Sequence, residues 1–362
     1  MQSGLNTGEA KGSGRIGQTP DGSPAKDAAV IGAKAIRELT PEQTAARTKE
    51  IFAMEDMQQR TEAFLEMLKG LHGNEQISAA MEAMTENGYN NRERGREFSM
   101  LMTRWAKEDP ETALAWTQKH GDWRNRWGAQ TALAVWSQND PDKAVAWALA
   151  HPNKDKEEGN HNMVGVINGL TKTNLDLAAQ LAQNMDRSNA RGEAMERVLE
   201  QFFKQRGPDA AKEMVMGLPD GPYKNGALGR LADRLADSDA KSAAVWAAAL
   251  PDGEAKPGVV AQVVDEWAGK NPNDAGNWLN ALPQTAAMDE SRERFAFRVQ
   301  EKDPEAAIAW AGTITDENRR NKTSFRLVRE WMSREPDSAK AWVRNSQLPA
   351  DMKERLINRR RG

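Results

Sequence analysis

The sequence predicts an all-α fold built from eight or nine consecutive helix–turn–helix repeats. One phrase, Trp136-Ser-Gln-Asn-Asp140-Pro141-Asp-Lys-Ala144-Val-Ala-Trp147, recurs at steps of 31 to 34 residues to the end of the chain. Apolar residues within the copies follow the three- and four-residue spacing of amphipathic helices. No long stretch alternates apolar and polar residues, as a β-strand would. A self-similar period of this length is the signature of a repeat array, whose core grows by the addition of units.

Residues 1–26 precede the helical pattern and are rich in Gly, Ser, Pro and charged residues. They carry too little apolar surface to fold, so we expect a disordered tether. Such a spacer often follows a cleaved export signal. We therefore expect an extracytoplasmic chain, periplasmic or secreted, with a cytoplasmic location as the alternative.

Residues 27–74 fit the repeat poorly and are predicted to form a helical N-terminal cap or adaptor. Thr40 is followed by Pro41 and Gln43, which are the N-cap, first-turn proline and capping-box residue of a helix start. Helices are expected near 41–54 and 57–69, with Gly70 and Gly73 as C-terminal punctuation.

The repeat array is predicted over residues 75–349, with 75–86 as a degenerate first copy and 350–362 as a C-terminal capping helix and basic tail. In each copy, a short A helix begins at the proline position and a longer B helix leads to the next junction. The proline positions are Pro110, Pro141, Leu175, Pro208, Ala240, Pro272, Pro304 and Pro336. Asp, Asn, Gly or Glu precedes each of them, and most of these residues are good N-caps.

Three further positions of the repeat are regular. The third residue after the proline position is Ala in all eight copies, which predicts a close approach of two helices. The residues five before and six after the proline position are always large and apolar, and ten of the twelve Trp residues occupy these two positions. Because one Trp can bury about 150–250 Å², these two positions are predicted to form the core.

This unit resembles the tetratricopeptide repeat and its relatives over about residues 75–350. The resemblance is architectural, because the period here is mostly 32 residues and the Trp positions do not reproduce the Trp-Leu-Gly-Tyr pattern. It implies a right-handed α-solenoid with a concave face that binds segments of other proteins. The A helices complicate this picture, since AAVWAAAL and AAIAWAG are nearly apolar all round. Either neighbouring helices close over them, or the groove binds something apolar.

Composition and motifs exclude several classes of function. The chain has no Cys, which rules out disulfides and thiolate chemistry, and its net charge of −3 does not favour nucleic acid as a partner. No apolar run reaches the roughly 18 residues of a membrane span. The four His residues lack helical metal-binding spacing, no nucleophile or phosphate-loop motif is present, and capping explains the acids at helix starts. We expect a non-enzymatic protein without cofactor or metal.

Candidate binding residues lie where a copy departs from the phrase. Trp123 and Trp127 fall outside the two core positions, and Arg124 and Arg126 accompany them. Trp and Arg dominate the energetics of protein interfaces, so this group is a candidate hot spot, with local packing variation as the alternative. Arg319 and Arg320 lie early in a B helix and are candidates for a basic edge, although such charges are often solvated and paired with acids.

The leading hypothesis is a scaffold that binds a segment of an unidentified protein in its groove or along this basic edge. One alternative is a carbohydrate- or cell-surface-binding module that uses exposed Trp. The other is a hydrolase, which requires two carboxylates facing each other in a cleft, about 5–9 Å apart.

Overall fold

The computed structural model describes residues 32–86, 91–120, 123–152, 157–253 and 255–357, and in these ranges the protein is all-helical, without strands. They contain nineteen α-helices and one 3-10 turn at Ala286–Met288. The predicted tether, residues 1–26, lies outside the described ranges. The chain divides into two compact units, Met1–Lys119 and His120–Gly362, which are described separately. The boundary predicted between residues 74 and 75 stays a prediction.

The first unit contains six of the helices. They are α1 (Ala33–Arg37), α2 (Pro41–Ala53), α3 (Met57–Gly70), α4 (Gly73–Thr85), α5 (Asn91–Glu108) and α6 (Pro110–Gln118). The capping box is confirmed, since the Thr40 hydroxyl accepts from Gln43 N at 3.3 Å and Thr40 N donates to Gln43 Oε1 at 2.9 Å. The placement of Gly73 was wrong, because Gly73 has φ +69° and begins α4 instead of following α3.

The second unit contains the remaining thirteen helices. They are α7 (Trp123–Asn139), α8 (Pro141–Ala150), α9 (His161–Leu170), α10 (Leu175–Asn184), α11 (Asn189–Met216), α12 (Pro222–Ala248), α13 (Ala255–Lys270), α14 (Pro272–Ala281), α15 (Asp289–Val299), α16 (Pro304–Gly312), α17 (Glu317–Arg334), α18 (Pro336–Asn345) and α19 (Ala350–Ile357). The last helix matches the start of the predicted C-terminal cap, and residues 358–362 lie outside the described ranges.

Two of these helices are long because the repeat junction falls inside them. The backbone leaves helical geometry at Gly207 (φ 85°, ψ 174°) in α11 and at Asp239 (φ −151°, ψ 93°) in α12. The dihedrals of Asp239 are close to those of Asp303, which separates α15 from α16. Both long helices are therefore a B helix joined to an A helix at a predicted junction.

Side-chain caps form at six of the eight predicted junctions. Each accepts a hydrogen bond from the backbone N–H three residues on, and the capping residues are Asp109, Asp140, Asn174, Asp239, Asn271 and Asp303. Gly207 has no side chain to do so, and Glu335 forms no such bond. At these six junctions the cap satisfies a helix-terminal N–H locally, so a signal of a few residues suffices to begin the A helix.

In the second unit, consecutive B helices contact one another and the A helices pack beside them. Among the B helices, α7 contacts α9, α9 contacts α11, α11 contacts α12, α12 contacts α13, and α13 contacts α15. The helix α14 contacts α13 and α15, and α16 contacts α15 and α17. All eight repeat Ala residues are buried, as the close-approach prediction requires: Ala113, Ala144, Ala178, Ala211, Ala243, Ala275, Ala307 and Ala339.

The two large apolar positions of the repeat differ in burial. Five residues before the proline position, Trp105, Trp136, Trp267 and Trp331 are buried. Six residues after it, Trp116 is buried, but its counterparts in the other seven copies are only half-buried. The rings of the two positions pair in tilted geometry, with centroids 6.0 Å apart in Trp105–Trp116, Trp267–Trp278 and Trp331–Trp342. The second position therefore contributes to the core in part: Trp310 and Trp342 pack against the buried cluster that contains Trp331, but they keep part of their surface exposed.

Candidate functional site

An open cleft of about 700 Å³ lies between α16 and α18, and the start of α17 also lines it. Its apolar wall is made by residues from both A helices and from the segment after α18: Ile308, Ala309, Gly312, Trp342 and Leu348. The ring of Trp342 packs against the buried Trp331, and Trp342 also lines the cleft and is partly exposed. A concave, largely apolar surface with a few polar groups is typical of a binding site.

The polar side of this cleft includes Arg320, one of the residues predicted to form a basic edge. Its guanidinium donates to Ile314 O at 2.8 Å and to Thr315 O at 3.3 Å. Glu305 and Glu317 also line the cleft. Arg320 is thus held in place by the loop that precedes α17, and the cleft combines a fixed cation, two carboxylates and an apolar wall.

Asp289 fixes the same loop from the opposite side. Its buried carboxylate accepts from Thr315 N at 2.7 Å, from Thr315 Oγ1 at 2.8 Å and from Asp316 N at 2.9 Å. Burial raises the pKa of Asp289, but these hydrogen bonds outweigh it and leave the pKa below its ordinary value. The start of α17, and with it Arg320, is therefore positioned by a charged anchor inside the second unit.

Arg319, the other residue of the predicted edge, points its charge at a neighbouring B helix. Its Nε atom lies 3.1 Å from Glu293 Oε2 of α15. An ion pair that is this exposed adds little stability, about 0–1 kcal/mol. One of the two cations predicted for the basic edge is therefore already paired with an acid, as is usual for surface charges.

Arg126, from the predicted hot spot, lies in a cluster that joins α7 to α9 and α11. It donates to Nδ1 of the buried His161 at 3.0 Å, and its Nη1 lies 3.5 Å from Glu158 Oε2. The other ring nitrogen, His161 Nε2, lies 3.0 Å from Glu158 Oε2, and Nδ1 lies 3.4 Å from Glu193 Oε2 of α11. The hydrogen bond from His161 leads the effects that lower the pKa of Glu158. Arg126 is half-exposed, so this role in packing leaves part of its guanidinium accessible.

The other members of that hot spot are less informative. Trp127 is half-buried, and its carbonyl accepts from Thr131 Oγ1 at 2.9 Å. The side chains of Trp123 and Arg124 lie outside the described residues. The hot spot stays a prediction, because Arg126 and Trp127 are partly accessible but no single surface formed by all four residues is described.

The sequence left open whether neighbouring helices close over the apolar A helices, and their outer surface answers this question. Neighbouring helices do not close over it, since Leu149 and Val245 are 63% and 62% exposed, and Ala146 and Ala309 are exposed as well. Ala146, Val245 and Ala309 occupy the same position of the repeat, whereas Gln180, Glu213 and Asn277 occupy it in the copies between them. These three A helices of the second unit therefore expose a small or apolar side chain at this position, and A helices that expose a polar one lie between them.

Asp233 and Asp265, on neighbouring B helices, are one acid pair to which the hydrolase alternative can be applied. Burial raises the pKa of Asp233, and the charge of Asp265 raises it further. Both acids are already bound, however: the Gln262 amide donates to Asp233, and Arg298 forms two bonds to Asp265 at 2.5 and 2.9 Å. Gln262 also accepts from Arg294 at 2.6 Å. These contacts form a hydrogen-bonded network across α12, α13 and α15, in which both carboxylates have partners.

Sequence reasoning missed Trp342, Ala309 and Leu348 as site residues. Trp342 occupies a regular position of the repeat and was explained by packing, while Leu348 precedes Pro349, a pair that the sequence favours as a helix end. The one available signal was the apolar outer side of the A helices, which raised the possibility of an apolar ligand without locating it.

In the described part of the chain, no three metal-binding side chains come together. Nor does any helix in these ranges have the length and apolar character needed to cross a bilayer. The expected extracytoplasmic location stays a prediction. No protein-family model, no curated protein and no solved structure matches this chain.

Proposed function

We propose that this protein is a non-enzymatic scaffold that binds a segment of another protein on the A-helix surface of its second unit. In this proposal the helices continue as a right-handed α-solenoid of eight repeats, preceded by a degenerate ninth. The ordered contacts between consecutive B helices, with A helices packed beside them, support that arrangement.

The observation that carries the proposal is the cleft between α16 and α18. It places the partly exposed Trp342 beside Leu348 and exposed Ala309, with Arg320 fixed at its rim. An apolar side chain of a partner would fill the cleft against Trp342, and an acid of the partner would approach Arg320. Anchors of this kind, an aromatic ring in a pocket beside a guanidinium, contribute most of the energy in protein interfaces.

The alternatives draw less support. Each Trp side chain in the described ranges is buried or half-buried, which leaves only part of any ring for a sugar to stack on. The acids Asp233 and Asp265, which influence each other's charge, are bound by Gln262 and Arg298.

Site-specific photo-crosslinking tests the proposal. A photoreactive amino acid replaces Ala309 in the cleft or, as the matched control, Ala146, which occupies the same repeat position in α8 and is also exposed. The proteins are expressed in the native cell, irradiated, and analysed by mass spectrometry. We expect one discrete adduct with a protein from the Ala309 position and not from the Ala146 position.

The identified partner is then purified and titrated against wild-type protein and Ala309→Arg, whose long side chain would fill the cleft. We expect Ala309→Arg to weaken binding by about a hundredfold, as loss of a hot spot does, with no change in melting temperature. Equal crosslinking from both positions, or unchanged affinity in Ala309→Arg, would contradict binding at this cleft.

A further inference from the structure

A second cleft, of about 430 Å³, lies between the end of α10, the start of α11 and the start of α12. Three arginines line it: Arg187, Arg191 and Arg230. Asp220 lines it too, but this carboxylate pairs with Lys224 at 3.0 Å. The cleft therefore carries about three positive charges that its own acid does not balance.

The neighbouring clefts show that this charge is a departure from the repeat. Twelve and sixteen residues after the proline position, the next two copies carry an acid and a lysine, which form the pairs Asp220–Lys224 and Asp252–Lys256 at 3.0 Å each. In the copy that begins at Leu175, the same two positions are Arg187 and Arg191. An arginine has thus replaced the acid that would neutralise its neighbour.

Within the described residues, none of the three guanidiniums forms a salt bridge. Arg187 is exposed, and Arg191 donates to Gln183 O at 2.8 Å and stacks 3.6 Å above the ring of Tyr223. Arg230 makes one long contact, 3.4 Å, with Gly226 O. Like charges placed together without an anion repel one another, so the arrangement is stabilised when an anion enters.

The surrounding structure fixes the cations and adds to the positive field. The stacked Tyr223 holds Arg191 in one orientation, and burial raises the pKa of its hydroxyl, so it contributes no negative charge near neutral pH. Gly192 leaves space for Arg230, whose Nη2 atom would lie 3.2 Å from a Cβ at that position. The helix α12 starts at this cleft after Gly221, which provides no side-chain cap, so its N-terminal dipole also faces the site.

We propose that this cleft binds a phosphoryl group. A doubly charged oxyanion matches several guanidiniums better than a single carboxylate does, and the planar fork of Arg fits phosphate oxygens. The cleft is larger than a free phosphate ion, which favours a phosphate monoester or a phosphorylated side chain as its carrier. This site is separate from the cleft between α16 and α18 and does not depend on the scaffold proposal.

Isothermal titration calorimetry with the full chain tests the proposal in a monovalent-anion buffer. The probes are inorganic phosphate, phenyl phosphate, a short peptide with one phosphoserine, and the same peptide without phosphate. We expect the phosphorylated probes to bind and the unphosphorylated peptide not to bind. A phosphopeptide that binds over tenfold tighter than phenyl phosphate indicates a protein source, and the reverse order indicates a small-molecule monoester.

The decisive variant is Arg187→Asp, which restores the acid of the neighbouring copies at an exposed position. It should weaken phosphate binding by about tenfold or more, because it removes one charged contact and neutralises Arg191. Lys256→Gln, in the adjacent cleft, is the control and should bind phosphate like the wild type. Circular dichroism melting verifies that both variants fold.

Three results would overturn the proposal: no phosphate binding by the wild type at millimolar concentration, unchanged affinity in Arg187→Asp, or equal competition by acetate at matched ionic strength.

Discussion

Gly169 of α9 lies so close to Ala134 of α7 that a Cβ added to Gly169 would stand 2.2 Å from the Ala134 carbonyl oxygen. One turn earlier, a Cβ on Gly165 would stand 2.7 Å from the Cα of Gln130. Between these points the Ser137 hydroxyl donates to Val166 O at 3.0 Å. These two B helices meet backbone to backbone, where no side chain fits between them.

Substitution of Gly169 by Ala should therefore force α7 and α9 apart. We expect the free energy of unfolding to fall by about 1–3 kcal/mol, the usual cost of overpacking, as measured by urea denaturation. Gly229→Ala in α12 is the matched control, because a Cβ there would meet no atom within 4 Å. It should be neutral or stabilise by up to about 1 kcal/mol, so an equal loss in both variants would refute the close-contact explanation.

The repeat Ala should tolerate no enlargement, whereas its exposed neighbour should. Ala307→Leu places three more carbon atoms in a fully buried position of α16 and should cost about 1–3 kcal/mol. Ala309→Leu changes an exposed position of the same helix and should stay within about 0.5 kcal/mol. Thermal unfolding of the two variants distinguishes these outcomes. Similar melting temperatures would contradict tight packing around Ala307.

Asp289→Asn should loosen the loop before α17. An amide accepts through one oxygen only, so at least one of the three bonds to Thr315 and Asp316 is lost, at a cost of about 1–3 kcal/mol at pH 7. Because the folded pKa of Asp289 is depressed, its stabilising effect is complete above the unfolded value of about 3.9 and is lost as pH falls through the folded pKa.

Urea unfolding of wild type and Asp289→Asn between pH 3 and pH 8 measures this effect. The stability difference should be constant from about pH 5 upward and should shrink below about pH 4. A difference that grows in acid would contradict the assignment of Asp289 as an ionised anchor.

The junction caps should matter only where the side chain makes the bond. Asn271→Ala removes the acceptor for Asp274 N and should destabilise the protein by about 1 kcal/mol. Glu335→Ala changes the same repeat position where no capping bond forms, so its effect should be much smaller. Chemical denaturation of both variants compares them directly, and equal losses would mean that charge or helix propensity, not capping, acts at the junction.

Much of the fold followed from local sequence signals. The capping box at Thr40, the six side-chain caps and the burial of every repeat Ala depend on residues a few positions apart, or on one residue size repeated in register. The position of Gly73 did not follow, because a glycine with positive φ is suited both to end one helix and to begin the next.

The candidate sites were harder to predict because they depend on neighbours about 30 residues away. Arg126 contacts His161, and Arg319 contacts Glu293, across B helices whose register the sequence does not state. Trp342 could be identified as large and apolar, but whether its ring is covered depends on the space left between α16 and α18. The cation pair Arg187–Arg191 was visible only by comparison with the aspartate–lysine pairs of the following copies.

The caps at the repeat junctions have a consequence for how such a chain can change in length. Each cap and the N–H it binds lie within four consecutive residues, as in Asp303 and Ala306, so each capped unit carries its own start signal. Duplication or deletion of one whole unit in the gene leaves the start signals of all the others unaltered. Length can therefore vary by increments of one unit, while a cut inside a unit separates an A helix from the B helices that cover its buried alanine.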